Sequence, residues 1–141
     1  METEAQRSEA LALATRALAR REHSQRGLRE RLRQAGVGAA EANEVVEELQ
    51  RVGLVDDGRF AAERARVLAE RGKGDAAIRF DLTGAGVDDA EVEAALALLA
   101  PERERAERLV ERRGASVATA RLLASRGFDD EVVTGLIARE R

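Results

Sequence analysis

The apolar positions of this 141-residue chain recur in one unit that appears three times. The clearest copy spans Leu82 to Leu99. A helix ends at Leu82, and the chain breaks at Gly84 and Gly86. Val87 and Asp88 then lead into a second helix carrying Val92, Ala95, Leu96 and Leu99. About fifty positions earlier stand Leu32, Gly36, Val37, Ala42, Val45, Val46 and Leu49. About forty-one positions later stand Leu123, Gly127, Phe128, Val133, Leu136 and Ile137. Positions 42/45/46/49 and 92/95/96/99 follow i, i+3, i+4, i+7, one apolar stripe on a helix. Three copies of a helix-break-helix unit define a tandem array.

The polar residues between the stripes punctuate the helices. Gly36, Gly86 and Gly127 sit just past a helix end, where a positive φ is often required. Asp88 and Asp129 are placed to accept from the free N–H groups of the next helix, and Glu91 completes a capping box with Asp88. Val87/Val92 and Phe128/Val133 have the spacing of hydrophobic staples. The first copy carries Gly38 in place of the aspartate.

Read in order, Thr3 caps a first helix with Gln6 three residues on, and Leu11, Ala14 and Leu18 form its buried face. Ser24 caps a second helix with Leu28 and Leu32 inward. A third runs over 39–50 and stops at Gly53. Asp57 caps a fourth, whose face is Phe60, Ala61, Ala65 and Leu68. Gly72 and Gly74 break the chain, and helices follow over 75–82 and 89–99. Pro101 fits a first helical turn, so a seventh helix starts there, with Ala106, Leu109 and Val110 inward. Gly114 ends it, Ser116 caps the eighth, and the ninth runs from Asp130 to Arg141. The expected fold is all-α: three tandem three-helix repeats over 1–55, 56–100 and 101–141, in an elongated, curved array.

Composition narrows the function classes. Hydrophobic residues make up 44%, much of it alanine, with three Phe and no Trp or Tyr, so the cores are thin. Units of roughly 40 to 50 residues are marginal alone, and stacking adds stability. Charged residues make up 36% and nearly cancel, to a net charge of −3, which argues against a general DNA coat. No cysteine is present, so a disulfide framework or thiolate metal site is excluded. The acidic start, Met1-Glu2-Thr3-Glu4, is unlike a signal peptide, and no stretch approaches ~18 apolar residues. A cytoplasmic protein without cofactors is expected.

Three stretches carry a family resemblance. Arg21-Glu22-His23-Ser24 before a basic helix, and Gly53-Leu54-Val55-Asp56-Asp57 with Arg59-Phe60, resemble the RecX family of bacterial recombination regulators. Arg126-Gly127-Phe128 and the tandem triads do so too. The resemblance covers essentially the whole chain. It implies a modular helical protein lying along the groove of the RecA–DNA filament. There it would inhibit strand exchange, ATP hydrolysis and co-protease activity without being an enzyme. Periodicity and composition by themselves support only a helical repeat protein that presents extended surfaces to partners. The sequence departs from the family in its second repeat, where Asp75-Ala76-Ala77-Ile78-Arg79-Phe80 and Thr83-Gly84-Ala85-Gly86 replace a more basic run.

Arg26, Arg29 and Arg33 share one side of the second helix. Shifted by about fifty, they become Ala76, Arg79 and Thr83, so the basic stripe concentrates in the first repeat. Arg21, Arg26, Arg29, Arg33, Lys73 and Arg79, with Arg121 and Arg126, are the candidate partner contacts. The competing view of the stripe is a solvated face stitched by Glu22 and Glu30. His23, the only histidine, reads as a packed or hydrogen-bonded group near the second helix cap rather than a metal ligand. Asp56 and Asp57 read as caps rather than a catalytic pair. Gly72-Lys73-Gly74 is too short for a phosphate loop, and the Glu/Arg run over 102–113 reads as a solvated helix face. The expected protein is a monomer with weak direct DNA contact. The alternatives are a helix-turn-helix DNA binder and a helical adaptor for another partner.

Overall fold

The computed structural model describes residues 4–139. Among them stand nine α-helices and no strand. They are α1 (Glu4–Arg20), α2 (Gln25–Gln34), α3 (Ala39–Arg51), α4 (Asp57–Glu70), α5 (Asp75–Gly84), α6 (Asp89–Ala97), α7 (Glu102–Arg113), α8 (Val117–Ser125) and α9 (Asp130–Arg139). The cap expected at Thr3 and the last residues of the ninth helix, Glu140 and Arg141, lie outside the described residues.

The chain forms an all-α helical repeat with three separate cores. Ala10, Ala14, Leu28, Leu32, Val45, Val46 and Val55 pack in α1–α3 and the loop that follows. Ala61, Ala65, Ile78, Leu82, Val87 and Val92 pack in α4–α6. Ala106, Leu109, Leu123, Phe128, Val133 and Leu136 pack in α7–α9.

One turn closes the second helix of every triad. Gly36, Gly86 and Gly127 have φ of 96°, 87° and 86°. The residue after each glycine donates its N–H to the core leucine five positions back: Val37 to Leu32 at 3.0 Å, Val87 to Leu82 at 3.1 Å, Phe128 to Leu123 at 3.1 Å. The glycine N–H bonds one carbonyl further on, to Arg33, Thr83 and Ala124. This paired closure satisfies carbonyls that a helix end leaves free, and it requires a left-handed residue at the glycine. The leucine thus anchors the core and the turn together. Caps follow as the sequence indicates: Ser24 Oγ accepts from Gly27 N–H at 3.0 Å, Asp88 from Glu91 N–H at 2.9 Å, and Asp129 from Glu131 N–H at 2.9 Å. Ser116 accepts from Thr119 N–H at 3.1 Å.

Several sequence expectations need correction. Leu11 is 40% exposed, and the buried row of α1 is Ala10, Ala14 and Ala17. Alanine lets α1 approach its neighbours closely, so the small residues face in and Leu13 and Leu18 flank them half-buried. The cap of α4 is Asp56, whose carboxylate accepts from Arg59 N–H at 3.0 Å, and Asp57 is the first helical residue. The Glu91 carboxylate turns to the first turn of α4, where its Oε2 is 2.7 Å from where a Gly58 Cβ would stand. The positive end of the α4 dipole favours it there. Helix α5 continues past Leu82 to Gly84. Helix α6 stops at Ala97, because Leu98 and Leu99 tighten into i→i+3 bonds ahead of Pro101, whose ring disfavours helix in the preceding residue. Pro101 takes the cap position, and α7 begins at Glu102.

Val92 is buried in the second core, whereas Arg103 holds only an exposed 3.4 Å pair with Glu107. Val92→Ala should therefore destabilise by about 1–3 kcal/mol and Arg103→Ala by under about 0.5. Urea unfolding followed by circular dichroism measures both, and equal effects would contradict the assigned core face.

Candidate functional site

Successive triads meet through polar joints built twice on one plan. At the first joint the start of α2 reaches the second triad. Gln25 N–H donates to Asp57 Oδ1 at 2.8 Å, Ser24 Oγ–H donates to the Ala85 carbonyl at 2.7 Å, and Arg26 donates to the Gly84 carbonyl. At the second joint the start of α5 reaches the third triad. Asp75 N–H donates to Glu102 Oε2 at 2.7 Å, Gly74 N–H to the Arg126 carbonyl at 2.7 Å, and Ala76 N–H to the Gly127 carbonyl at 3.2 Å. A carboxylate on the first residue of the next triad thus accepts a free N–H of the preceding helix. The glycine turn supplies carbonyls beside it. The turn glycines also permit close approach. A Cβ on Gly86 would stand 2.8 Å from Arg26 Cβ, and one on Gly127 2.7 Å from Ala77 Cβ.

An arginine strengthens each joint. Arg59 pairs with Glu22 at 2.7 Å, which raises its pKa, and donates to the Gly53 and Leu54 carbonyls at 3.1 and 3.3 Å. Arg105 donates to the Lys73 and Ala100 carbonyls at 3.0 and 2.9 Å and pairs with Asp75. It also lies 6.0 Å from the Phe128 ring centre. The family-like stretches are therefore joint residues: Ser24, Gly53, Leu54, Asp57 and Arg59 at the first, Gly127 and Phe128 at the second. Asp56 caps α4, while Val55 and the half-buried Phe60 pack in the first and second cores.

The candidate contact cations separate into two groups. Arg21, Arg33 and Arg121 are exposed, and Arg29 and Lys73 are half-buried. Arg26 and Arg126 are built into the two joints, Arg26 also lying 3.6 Å from Glu30. Arg79 grips Glu93 with two bonds of 2.8 and 2.9 Å, which lowers the Glu93 pKa. A second basic surface escaped the sequence reading. Arg71, Arg112, Arg113 and Arg126 line a groove of about 460 Å³ at the second joint, with Glu70 as its acid. Arg108 and Arg112 also line an adjoining groove with Arg66. The available signal was Arg105, Arg108 and Arg112 at i, i+3, i+7, the same spacing as Arg26, Arg29 and Arg33. The intervening glutamates masked it.

His23 is buried beside the first joint, where its Nε2–H donates to the Ala17 carbonyl at 3.2 Å. Burial, then the charges of Arg21 and Arg31, lower its pKa from the ordinary 6.5. Among the described residues no acidic, His or Cys cluster is arranged for a metal ion. No helix there is long and apolar enough to cross a membrane.

Comparison with known proteins gives the chain a family setting. Residues 10–49 match the family model described as RecX, first three-helix domain. Residues 56–96 match the model described as RecX, second three-helix domain. The chain is 32% identical over 140 residues to the regulatory protein RecX of Acidithiobacillus ferrooxidans (strain ATCC 53993 / BNL-5-31), covering 96% of this chain and 93% of that one. It is 40% identical over 83 residues to that of Halorhodospira halophila (strain DSM 244 / SL1), covering 59% of this chain and about half, 52%, of that one. Its fold is similar to the crystal structure of RecX from Lactobacillus salivarius, with TM-score 0.80 and 21% identity over 97% of both chains.

Two outcomes test this geometry. Glu102 also accepts from Asp129 N–H at 2.8 Å, so Glu102→Ala should speed amide exchange at Asp75 and Asp129 by about tenfold, roughly 1.4 kcal/mol. Unchanged exchange in both amides would remove the carboxylate from the joint. For His23 the folded pKa lies below the unfolded one, so below 6.5 the unfolded chain takes up the proton first. Its stabilising share is complete above that pH and declines as pH falls. The fall in urea stability between about pH 7 and pH 5 should therefore be shallower in His23→Gln.

Proposed function

The chain belongs to the RecX family of regulatory proteins, and on that premise we propose that it binds the RecA–DNA filament along its groove. Bound there, it inhibits recombination, ATP hydrolysis and co-protease activity in DNA repair. The observation that carries this reading is the repeated joint. It orders the triads so that basic surfaces recur along one chain: the α2 stripe, then the arginine groove at α4–α7–α8. Successive triads bridge neighbouring protomers, so modest contacts multiply into affinity. A bridged filament is held in one state, and its groove is obstructed. Arg21, Arg29, Arg33, Lys73, Arg79 and Arg121 are the contacting cations, with Arg26 and Arg126 serving both joint and partner. Direct DNA contact is weak and falls with salt, in keeping with a net charge of −3 beside local arginine clusters.

Titration into the cognate recombinase, read as ATPase rate and strand exchange, tests the proposal. Submicromolar affinity for bare DNA at physiological salt would favour direct DNA binding instead. Arg29→Glu with Arg33→Glu should weaken inhibition by about tenfold, roughly 1.4 kcal/mol. Arg79→Glu should cost less, because Glu93 already engages that guanidinium. Circular dichroism should be unchanged in both, since Arg29 and Arg33 lie off the Leu28/Leu32 face of α2 and Arg79 is exposed off the Ile78/Leu82 face of α5. Full inhibition by the double variant would reduce the stripe to a solvated surface.

A further inference from the structure

The first two triads differ at one pair of equivalent positions. The buried Ala10 and Ala14 of α1 correspond to Ala61 and Ala65 of α4, and Leu28 and Leu32 of α2 to Ile78 and Leu82 of α5. In that register Arg64 stands where Leu13 does, and Asp81 where Arg31 does. In the second triad Arg64 forks onto Asp81 with two bonds of 2.9 Å and bridges α4 to α5. Leu13 and Arg31 cannot form that bridge, and a groove of about 710 Å³ lies between α1 and α2. Half-buried Leu13 and buried Ala17, Leu28 and Leu32 form its apolar floor. Arg16, Arg20 and Arg31, all exposed, form its rim. No acidic residue lines it, and none of the three guanidiniums pairs with a carboxylate among the described residues.

We propose that this groove receives an acidic amphipathic helix of a partner protein, one carboxylate of which takes Arg31 as Asp81 takes Arg64. The charge and the floor fit such a helix together. Its apolar stripe covers Leu13, and its acidic flanks meet Arg16, Arg20 and Arg31. Leu13 to Arg20 on α1 and Leu28 to Ala35 on α2 each run about 10 Å, which accommodates two turns of a docked helix. A nucleic-acid strand fits less well. No aromatic side chain lines the groove for a base to stack on, and phosphates gain nothing from a leucine floor. The groove lies on the side of α2 away from Arg29 and Arg33, so docking here is independent of that stripe.

The probe is a fluorescein-labelled peptide of about 14 residues, four helical turns. It is built of alanine and glutamate with leucines at i, i+3, i+4 and i+7. Anisotropy with the full chain reads docking without recombinase, so failure here is separable from failure of the regulatory reading. The probe should bind at least about tenfold more tightly than a scrambled peptide of the same composition that lacks the stripe. Arg16→Glu with Arg31→Glu should weaken it by about tenfold or more. Leu13→Arg with Arg31→Asp rebuilds the bridge of the second triad, and should close the groove and abolish binding while circular dichroism stays helical. That variant decides the matter if the glutamate pair loses helicity. Arg51→Glu with Arg103→Glu makes the same charge change away from the groove and should alter affinity by under about twofold. Equal binding of probe and scrambled peptide, or unchanged binding to the bridged variant, overturns the proposal. So does tighter binding of an oligodeoxythymidine that the Arg16/Arg31 reversal abolishes, which would make the groove a nucleic-acid surface.

Discussion

The array depends on how the free N–H groups at the start of each triad's second helix are satisfied. Helix N-termini leave several donors without intrahelical partners. In α2 and α5 some of these donors are met from the next triad, by Asp57 and Glu102 and by the carbonyls of a glycine turn. The same chemistry therefore caps a helix and couples two triads. Removing either carboxylate affects both at once, which a side chain that capped its own helix would not.

This arrangement divides the forces cleanly. Apolar burial acts within each triad, where alanine-rich cores of limited size hold three helices together. Between triads the joints rest largely on hydrogen bonds and ion pairs, with Arg59 and Arg105 bridging carbonyls and carboxylates. Such bonds are directional, so they set orientation while burying little apolar surface. Stability in this geometry is close to a sum of triad terms and nearest-neighbour terms. Each thin core gains from its neighbour without fusing with it.

Charge is divided in a similar way. With 24 basic and 27 acidic residues the chain is nearly balanced, yet the arginines are unequal. Arg105 is almost enclosed, its side chain 10% exposed, and serves the second joint. Arg64 forks onto Asp81 at 2.9 Å within the second triad. Arg33, Arg112, Arg113 and Arg121 remain outward. Counting arginines along a helix face overstates the surface offered to a partner. What matters is which guanidinium already has a carboxylate or carbonyl in its fork.

The sequence by itself determined the helical class, the three-fold repeat and the glycine closures, because these follow from local rules. Apolar spacing selects the helix face, and a residue past a helix end at positive φ selects glycine. The caps at Ser24, Asp88, Asp129 and Ser116 were legible for the same reason. Tertiary structure decided what depends on distance between triads. Asp56 and Asp57 are adjacent in sequence, and only the approach of Gln25 shows that one caps its own helix and the other caps a different one. The inward row of α1 is Ala10, Ala14 and Ala17 rather than the row through Leu11, a choice set by packing against α2 and α3. The arginine groove at the second joint brings α4, α7 and the α8–α9 turn together, and the arginine spacing within α7 marks only one wall of it.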